Sequence, residues 1–214
     1  MNSIKAIIFD FDGVIAESVQ VKSNAFAEMY SPYGAVIEKK VIAHHEANGG
    51  LSRFEKFRFY HKYYLHEDID SEKVNSLAKQ FSDLVLQKVI SSPYVRGAYE
   101  FILENYNKYD FYISTGTPAD EIKVILEKRE LSKYFKAVYG SPETKDNHVK
   151  EILANNGYKN EEVVFIGDAD TDKNAARVNN IKFVARIESQ SSPLLSERFK
   201  VQDLTQLKKI IDTI

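Results

Sequence analysis

Apolar positions change their spacing along the chain. Residues 4–9 form a short run rich in β-branched residues that ends at Asp-Phe-Asp-Gly, a pattern typical of a buried strand followed by a tight turn. From about residue 18 to residue 90, apolar residues recur at helical spacing, with interruptions at Gly34 and Gly49-Gly50. This region therefore predicts about four helices and no strand.

After Ser92-Pro93 the pattern alternates between strand-like and helical segments. Alternation of this kind indicates a mostly parallel sheet with helices on both faces. The fold class that we predict is α/β, a Rossmann-like parallel sheet core with an inserted all-helical, four-helix cap domain. The predicted core comprises residues 1–15 and 93–214, the predicted cap comprises residues 16–92, and the two connections between them are candidate hinges. Strands are expected at 111–113, 137–139, 163–166 and 182–185, and helices at 98–105, 118–130, 148–155, around 175–176 and at 204–211.

Composition narrows the class of protein. At about 150 residues per domain, 214 residues suit one domain with a large insertion or two small domains. The net charge of −2 gives no general attraction to nucleic acid or an anionic membrane, and the absence of cysteine excludes disulfides and thiol nucleophiles. No stretch is long and apolar enough for a membrane span, and the N-terminal apolar run is too short for a signal peptide. We expect a cytoplasmic protein, a monomer or weak homodimer, with no nucleic acid or membrane partner.

Two acidic clusters directly follow predicted strands. Asp10 and Asp12 follow the first strand, and three aspartates lie within the segment Asp168–Asp172. Ligands of parallel sheets bind beyond the carboxyl ends of the strands, and clustered carboxylates suit Mg²⁺. The second cluster also resembles the start of an EF-hand loop, but Lys173 replaces the required glycine and Asn179 the required glutamate.

Two further segments have features of an anion site. Thr117 is predicted to cap a helix that has Pro118 at its first position, and the free N–H groups of such a helix end can bind an anion. An ordinary capped helix gives the same pattern. Lys145 lies in a predicted loop at a strand end, where it could hold a phosphate, although a single loop lysine is more often only solvated.

Taken in order, these four segments resemble the haloacid dehalogenase superfamily of phosphotransferases. The segment Asp10–Ile15 resembles the first motif, Thr115 the hydroxyl of the second, Lys145 the lysine of the third, and Gly167-Asp168 with Asp172 the fourth. The resemblance covers the whole chain, because the helical insertion resembles the family's C1 cap. It is closest to the phosphoglycolate-phosphatase-like and β-phosphoglucomutase-like members.

The resemblance implies roles for the core residues. Asp10 would be the nucleophile that forms an aspartyl-phosphate, and Asp12 the general acid and base. Thr115, with Ser114 as the alternative, and Lys145 would bind the phosphoryl oxygens. Gly13 and Gly116 are further expected substrate-binding positions.

The resemblance also implies a Mg²⁺ site. The ion would lie between Asp10, the backbone carbonyl of Asp12 and Asp168. Asp172 would either bind the metal through water or orient Lys145.

In the cap, the segment Gly49-Gly50 before Ser52-Arg53 resembles the loop that faces the active site in β-phosphoglucomutase-like members. Arg53 and Lys56 lie one turn apart and could jointly face an anion. Ser52 could equally cap a helix, with Glu55 as its capping-box partner.

Ser18 and Lys22 are also one turn apart and are expected at the cleft. The family's mutases carry a histidine where Lys22 stands, which weakens the mutase alternative. A lysine there also suggests phosphonatase chemistry, which would require a depressed lysine pKa.

The predicted function is that of a Mg²⁺-dependent phosphatase that acts on a small phosphorylated metabolite through an aspartyl-phosphate. The enzymatic alternative is a β-phosphoglucomutase-like sugar-phosphate mutase. The non-enzymatic alternative is an inactive fold that serves as a binding module.

Overall fold

The computed structural model describes residues 3–190 and 192–214. Its sheet has six strands in the order β3-β2-β1-β4-β5-β6, and all neighbouring strands are parallel. The central strand β1 pairs with β2 and β4, so that Phe9 lies opposite both Ile113 and Ile166. The predicted α/β class is therefore confirmed. The strands are β1 (Ala6–Phe9), β2 (Asp110–Pro118), β3 (Ala137–Ser141), β4 (Val163–Gly167), β5 (Lys182–Arg186) and β6 (Lys200–Val201).

Helices cover both faces of this sheet. Side chains of β1 alternate between two apolar clusters, with Ile7 and Phe9 in one and Ala6 and Ile8 in the other. This arrangement buries every residue of β1, as the uninterrupted apolar run predicts. The core helices are α5 (Ala98–Asn105), α6 (Ala119–Lys128), α7 (Lys145–Asn156), α8 (Asp170–Val178) and α9 (Leu207–Ile211).

Between β1 and α5 the described chain is helical, as predicted. Ser52 caps the third of these helices by accepting from the Glu55 N–H, and Asp70 caps the fourth. The helices pack through large aromatic side chains, with the Phe26 ring 4.4 Å from that of Phe81. No helix of the described ranges has the length and apolarity needed to cross a bilayer. The four helices are α1 (Val19–Tyr30), α2 (Ala35–Ala47), α3 (Arg53–Tyr60) and α4 (Ser71–Ser91).

The two connections between the helical insertion and the sheet lie side by side. The Glu17 N–H donates to the Pro93 carbonyl at 2.9 Å, and the Val95 N–H donates to the Ile15 carbonyl at 2.9 Å. These hydrogen bonds fix the two connections to one another. Movement about them, and the domain boundaries at residues 16 and 92, stay predictions.

Two local expectations were wrong. Strand β2 continues to Pro118, so α6 begins at Ala119 and Thr117 does not cap it; the Thr117 hydroxyl instead donates to Asp12. Lys145 is the first residue of α7 rather than a loop residue, and it is buried. In both cases a polar residue that suits a turn is held by tertiary partners.

Candidate active site

An acidic cluster lies at the carboxyl ends of β1 and β4. Asp10 follows β1, whereas Asp168 and Asp172 follow β4, and each offers a carboxylate oxygen within 4.8 Å of the others. The Asp10 N–H donates to the Ile166 carbonyl at 2.9 Å, which fixes the end of β1 against β4. Adjacent parallel strands therefore bring together the aspartates of two distant sequence segments.

Lys145 partly neutralises this cluster. Its Nζ lies 2.6 Å from Asp172 Oδ1 and 3.1 Å from Asp10 Oδ1. Burial by itself would lower the pKa of Lys145, but Asp10 and Asp172 outweigh it and raise the pKa above its ordinary value. Lys145 is therefore a fixed cation, and Asp172 orients it.

One lysine does not balance three clustered carboxylates. Burial, followed by the charges of Asp172 and Asp12, raises the pKa of Asp10 to about 7 despite the opposing effect of Lys145. Burial and Asp10 raise the pKa of Asp168 well above its ordinary value. Such crowding favours a bound cation, and the hard oxygen donors suit Mg²⁺.

Gly13 makes room at this cluster. Its φ is +76°, and a Cβ at this position would lie 2.1 Å from Asp168 Oδ2. The turn after β1 therefore requires glycine both for its backbone conformation and for the approach of Asp168.

The carboxylate of Asp12 is bound outside the acidic cluster. It accepts from Ser18 Oγ at 2.6 Å, Lys22 Nζ at 2.5 Å and Thr117 Oγ1 at 3.2 Å. Although burial would raise its pKa, Lys22 and these hydrogen bonds hold the pKa of Asp12 below its ordinary value. The predicted positions Ser18 and Lys22 thus contact Asp12. The contact of Thr117 with Asp12 could not be identified from the sequence, because the position of Thr117 suggested a helix cap.

Thr115 lies in the carboxyl-terminal half of β2 and lines the cavity beside the aspartates. Its hydroxyl accepts from the Thr117 N–H at 3.2 Å. Ser114, the alternative, is fully buried and bonded to His148 Nδ1 at 2.9 Å. Of the two hydroxyls, that of Thr115 is the one at the cavity.

The loop between α2 and α3 lies directly on the core. The Gly49 carbonyl accepts from Thr171 Oγ1 at 2.9 Å, and a Cβ on Gly116 would lie 2.5 Å from the Gly50 carbonyl oxygen. A Cβ on Gly50, whose φ is +77°, would lie 2.1 Å from Thr171 Oγ1 and 2.9 Å from Lys145 Nζ. Gly50 and Gly116 thus allow the cap loop to reach the carboxyl-terminal edge of the sheet. Thr171 carried no distinguishing signal in the sequence.

Arg53 joins the cap to the core. Its two terminal nitrogens bind the two carboxylate oxygens of Glu121 on α6 at 2.8 and 2.7 Å, and one also contacts Ser82 on α4 at 2.6 Å. Arg53 lines the cavity, as expected, but its guanidinium is paired. Sequence spacing could not reveal Glu121 as the partner.

Lys56 has different partners from Arg53. Its Nζ lies 2.8 Å from His45 Nδ1 and 3.4 Å from the His45 carbonyl oxygen. Burial and then Lys22 lower the pKa of Lys56 to about 7, and burial and then Lys56 lower the pKa of His45 to about 2. His45 is therefore a neutral acceptor, and the two basic residues of α3 do not share one partner.

A cavity of about 360 Å³ lies between the helical insertion and the sheet. This volume is at the small end of the range of ligand pockets, roughly 300–1,000 Å³. Its walls come from the carboxyl-terminal parts of β1, β2 and β4, from α1 to α4, and from the end of β5 and the segment that follows it. The residues with chemical function that line it include Asp10, Asp12, Lys22, His45, Gly49, Arg53, Lys56, Thr115, Gly116, Asp168 and Arg186.

Solved structures share this architecture over almost the whole chain. A haloacid dehalogenase-like hydrolase from Streptococcus pneumoniae has a TM-score of 0.73 at 20% identity, with 100% of each chain covered. A protein described as a predicted phosphoglycolate phosphatase from Haemophilus somnus has a TM-score of 0.77 at 16% identity, covering 98% of this chain and 99% of that one. A β-phosphoglucomutase from Clostridium difficile has a TM-score of 0.78 at 16% identity, covering 98% of each.

A comparison with curated proteins returned no match. The family model described as haloacid dehalogenase-like hydrolase, in contrast, matches residues 7–186, which include every aspartate described above and the entire helical insertion. The chain therefore belongs to the haloacid dehalogenase-like hydrolase family.

Proposed function

We propose that this protein is a Mg²⁺-dependent phosphatase that hydrolyses a small phosphate monoester through an aspartyl-phosphate. The observation that carries the proposal is the separation of two neighbouring carboxylates. Asp10 lies in the acidic cluster beside Lys145, whereas Asp12 is bound by Lys22, Ser18 and Thr117. One aspartate is thus placed for nucleophilic attack, and the other is available for proton transfer.

In the first step a carboxylate oxygen of Asp10 attacks phosphorus and the bond to the ester oxygen breaks. Thr115 and Lys145 bind the phosphoryl oxygens and stabilise the charge that develops on them. Asp12 donates a proton to the departing oxygen, which becomes an alcohol. The pairing with Lys22 keeps Asp12 ionised in the free protein, so substrate binding must weaken that pairing before Asp12 can act as an acid.

In the second step Asp12 accepts a proton from water as the water oxygen attacks the phosphorus of the aspartyl-phosphate. The bond between phosphorus and Asp10 breaks, which releases phosphate and restores the carboxylate. The proton that Asp12 gains from water replaces the one that it gave to the leaving group, so protons balance over the two steps. When phosphate leaves and the pairing with Lys22 re-forms, Asp12 loses this proton to solvent, and it takes one up again with the next substrate.

In this proposal Asp10 and Asp168 would hold the metal, with Asp172 beside them and the backbone carbonyl of Asp12 as a further expected ligand. Bound Mg²⁺ would neutralise the repulsion between an anionic nucleophile and an anionic phosphate. The crowding of three carboxylates around one lysine supports this assignment.

A phosphatase assay with p-nitrophenyl phosphate and a panel of phosphate esters tests the proposal. We expect turnover with millimolar Mg²⁺, loss of turnover after EDTA, and recovery when Mg²⁺ is restored. Asp10→Asn should be inactive. Full activity after exhaustive chelation would overturn the metal assignment, and conversion of β-glucose 1-phosphate in the presence of glucose 1,6-bisphosphate would favour the mutase.

A further inference from the structure

The described basic side chains that line the cavity form ion pairs with carboxylates, with the exception of one lysine and the neutral His45. Lys22 pairs with Asp12 at 2.5 Å, and Arg186 pairs with Glu17 at 2.7 Å. Arg53 pairs with Glu121 in the same way. Within residues 3–190 and 192–214, Lys56 is the cavity cation for which no carboxylate lies within 4 Å.

Lys56 is also deeply buried, with only 2% of its surface exposed. An ammonium carries three N–H donors. One of these meets neutral His45 Nδ1 at 2.8 Å, and a second approaches the His45 carbonyl at 3.4 Å. Because Lys56 lines the cavity, its remaining donor is available to a ligand there.

A buried cation without a counter-ion is unfavourable, and burial accordingly lowers the pKa of Lys56 to about 7, so that near neutral pH the free side chain is charged in only part of the molecules. An anion that binds beside Lys56 favours its charged form and relieves that cost. The core residues Thr115 and Lys145 already serve the phosphoryl group in the proposed mechanism. Lys56 belongs to α3 in the cap, which covers the other side of the cavity. A second anion is therefore expected on the leaving group of the substrate.

We propose that Lys56, positioned by His45, binds a second anionic group on the substrate, so that the preferred substrates are phosphate monoesters whose leaving group carries a carboxylate or another phosphate. This inference rests on the proposed phosphatase function. Lys56, rather than Arg53, then contacts the second anion. The Arg53 guanidinium is already bound by Glu121 and Ser82.

Matched substrates test the inference. 2-Phosphoglycolate is compared with ethyl phosphate, and propane-1,3-diol bisphosphate with propyl phosphate. Each pair differs mainly in the second anionic group, and the two pairs separate a carboxylate from a phosphate as the preferred group. For wild type we expect kcat/KM to be roughly 10- to 100-fold higher for at least one anionic ester, the effect of one charge-assisted contact.

Lys56→Met should reduce the ratio of kcat/KM between each anionic ester and its neutral partner to about one, because the anionic ester loses its contact. Lys56→Arg should keep part of the preference, because the charge remains. Lys39→Met is the matched control, because Lys39 is a cap lysine outside the cavity and its loss removes the same charge. Thermal unfolding establishes that each variant is folded, and Met is expected to fold because it fills the site without a buried charge.

The outcomes separate the two proposals. If wild type has the same kcat/KM for each neutral ester and its anionic partner, the proposed role of Lys56 is overturned, but the phosphatase proposal remains intact. If folded Lys56→Met keeps the wild-type preference for the anionic ester, the role of Lys56 is likewise overturned and the phosphatase proposal remains intact. Wild type that hydrolyses no phosphate ester overturns the phosphatase proposal itself.

Discussion

At the scale of single residues, the main feature of the site is that like charges are held close together. Asp10, Asp168 and Asp172 lie within 4.8 Å of one another, and the pKa of Asp10 is raised to about 7, chiefly by burial. The folded protein therefore keeps a proton on Asp10 that the unfolded chain loses near pH 4. Stability of the metal-free protein should consequently fall as pH rises from about 4 to about 7.

Asp10→Asn should remove this effect. In EDTA at pH 8 we expect the variant to unfold a few degrees above wild type, because 1 kcal/mol corresponds to about 2–4 °C in a chain of this size. At pH 4 the difference should largely vanish. Asp68→Asn, at an exposed position, is the control. Calorimetric scans that show Asp10→Asn less stable than wild type at pH 8 would contradict the account.

Lys22 sets the ionisation of Asp12, since their 2.5 Å contact opposes the effect of burial. With p-nitrophenyl phosphate the leaving group needs no proton, so in the proposed mechanism turnover depends on ionised Asp12 to activate water. Lys22→Met should raise the pKa of Asp12 and move the acid limb of the kcat profile to higher pH, whereas Lys22→Arg should move it less. A Lys22→Met profile that coincides with wild type would remove Lys22 from this role.

The sequence reveals the charged groups of the site but not all their partners. Aspartates directly after buried strands could be placed together because parallel strands end at one edge of a sheet. Glu121 and Thr171 could not be identified, because their contacts with Arg53 and Gly49 depend on how the cap docks. Such docking leaves no periodic signal in the chain.

At the scale of elements, one ion pair links α3 to α6. The side chains of Arg53 and Glu121 are only 4% and 8% exposed, and they meet through two parallel hydrogen bonds. A buried pair of this kind matters mainly when one member is removed, because the other charge is then left uncompensated.

Arg53→Ala should therefore destabilise the protein by about 3–5 kcal/mol, a fall in melting temperature of roughly 6–20 °C for this chain length. Combining Arg53→Met with Glu121→Leu should restore most of the loss. Lys79→Ala breaks the exposed pair with Asp83 and should cost less than about 1 kcal/mol. Thermal melts of the four proteins measure these effects, and equal losses for Arg53→Ala and Lys79→Ala would refute the linkage.

Most elements could be predicted, whereas some of their ends could not. The long periodic stretches give the four cap helices and the apolar runs give the central strands. The extension of β2 to Pro118 could not be predicted, because Thr117-Pro118 resembles a helix start. The pairing of β2 with β3 is also irregular there, since its register shifts between Ser114 and Pro118. The two-residue strand β6 is too short for any period to show.

At the scale of the whole molecule, the glycine loop of the cap meets the core where the chemistry is expected. Gly50→Ala should prevent this approach, because its Cβ would lie 2.1 Å from Thr171 Oγ1 and 2.9 Å from Lys145 Nζ. We expect kcat/KM to fall at least about 10-fold, the effect of losing one charge-assisted contact at Lys145.

Gly34→Ala is the matched control for this prediction. Gly34 also has a positive φ, of +93°, but a Cβ at this position would have no neighbouring atom of the described chain within 4 Å. The variant carries similar backbone strain, on the order of 1–3 kcal/mol, without the clash. Equal losses of kcat/KM in both variants would show that strain in the cap, rather than contact with the core, limits activity.

In the proposed mechanism Asp10 becomes phosphorylated, and Asp12 then activates the water that releases phosphate. Asp12→Asn should still be phosphorylated by p-nitrophenyl phosphate with Mg²⁺, since nitrophenolate leaves without a proton, but should not release phosphate. Mass spectrometry after an acid quench should then show one added phosphoryl group on the peptide that contains Asp10, together with a burst of one nitrophenolate per protein. Two results would contradict the account. One is the same adduct in the double variant Asp10→Asn, Asp12→Asn. The other is turnover by Asp12→Asn with no adduct at any time.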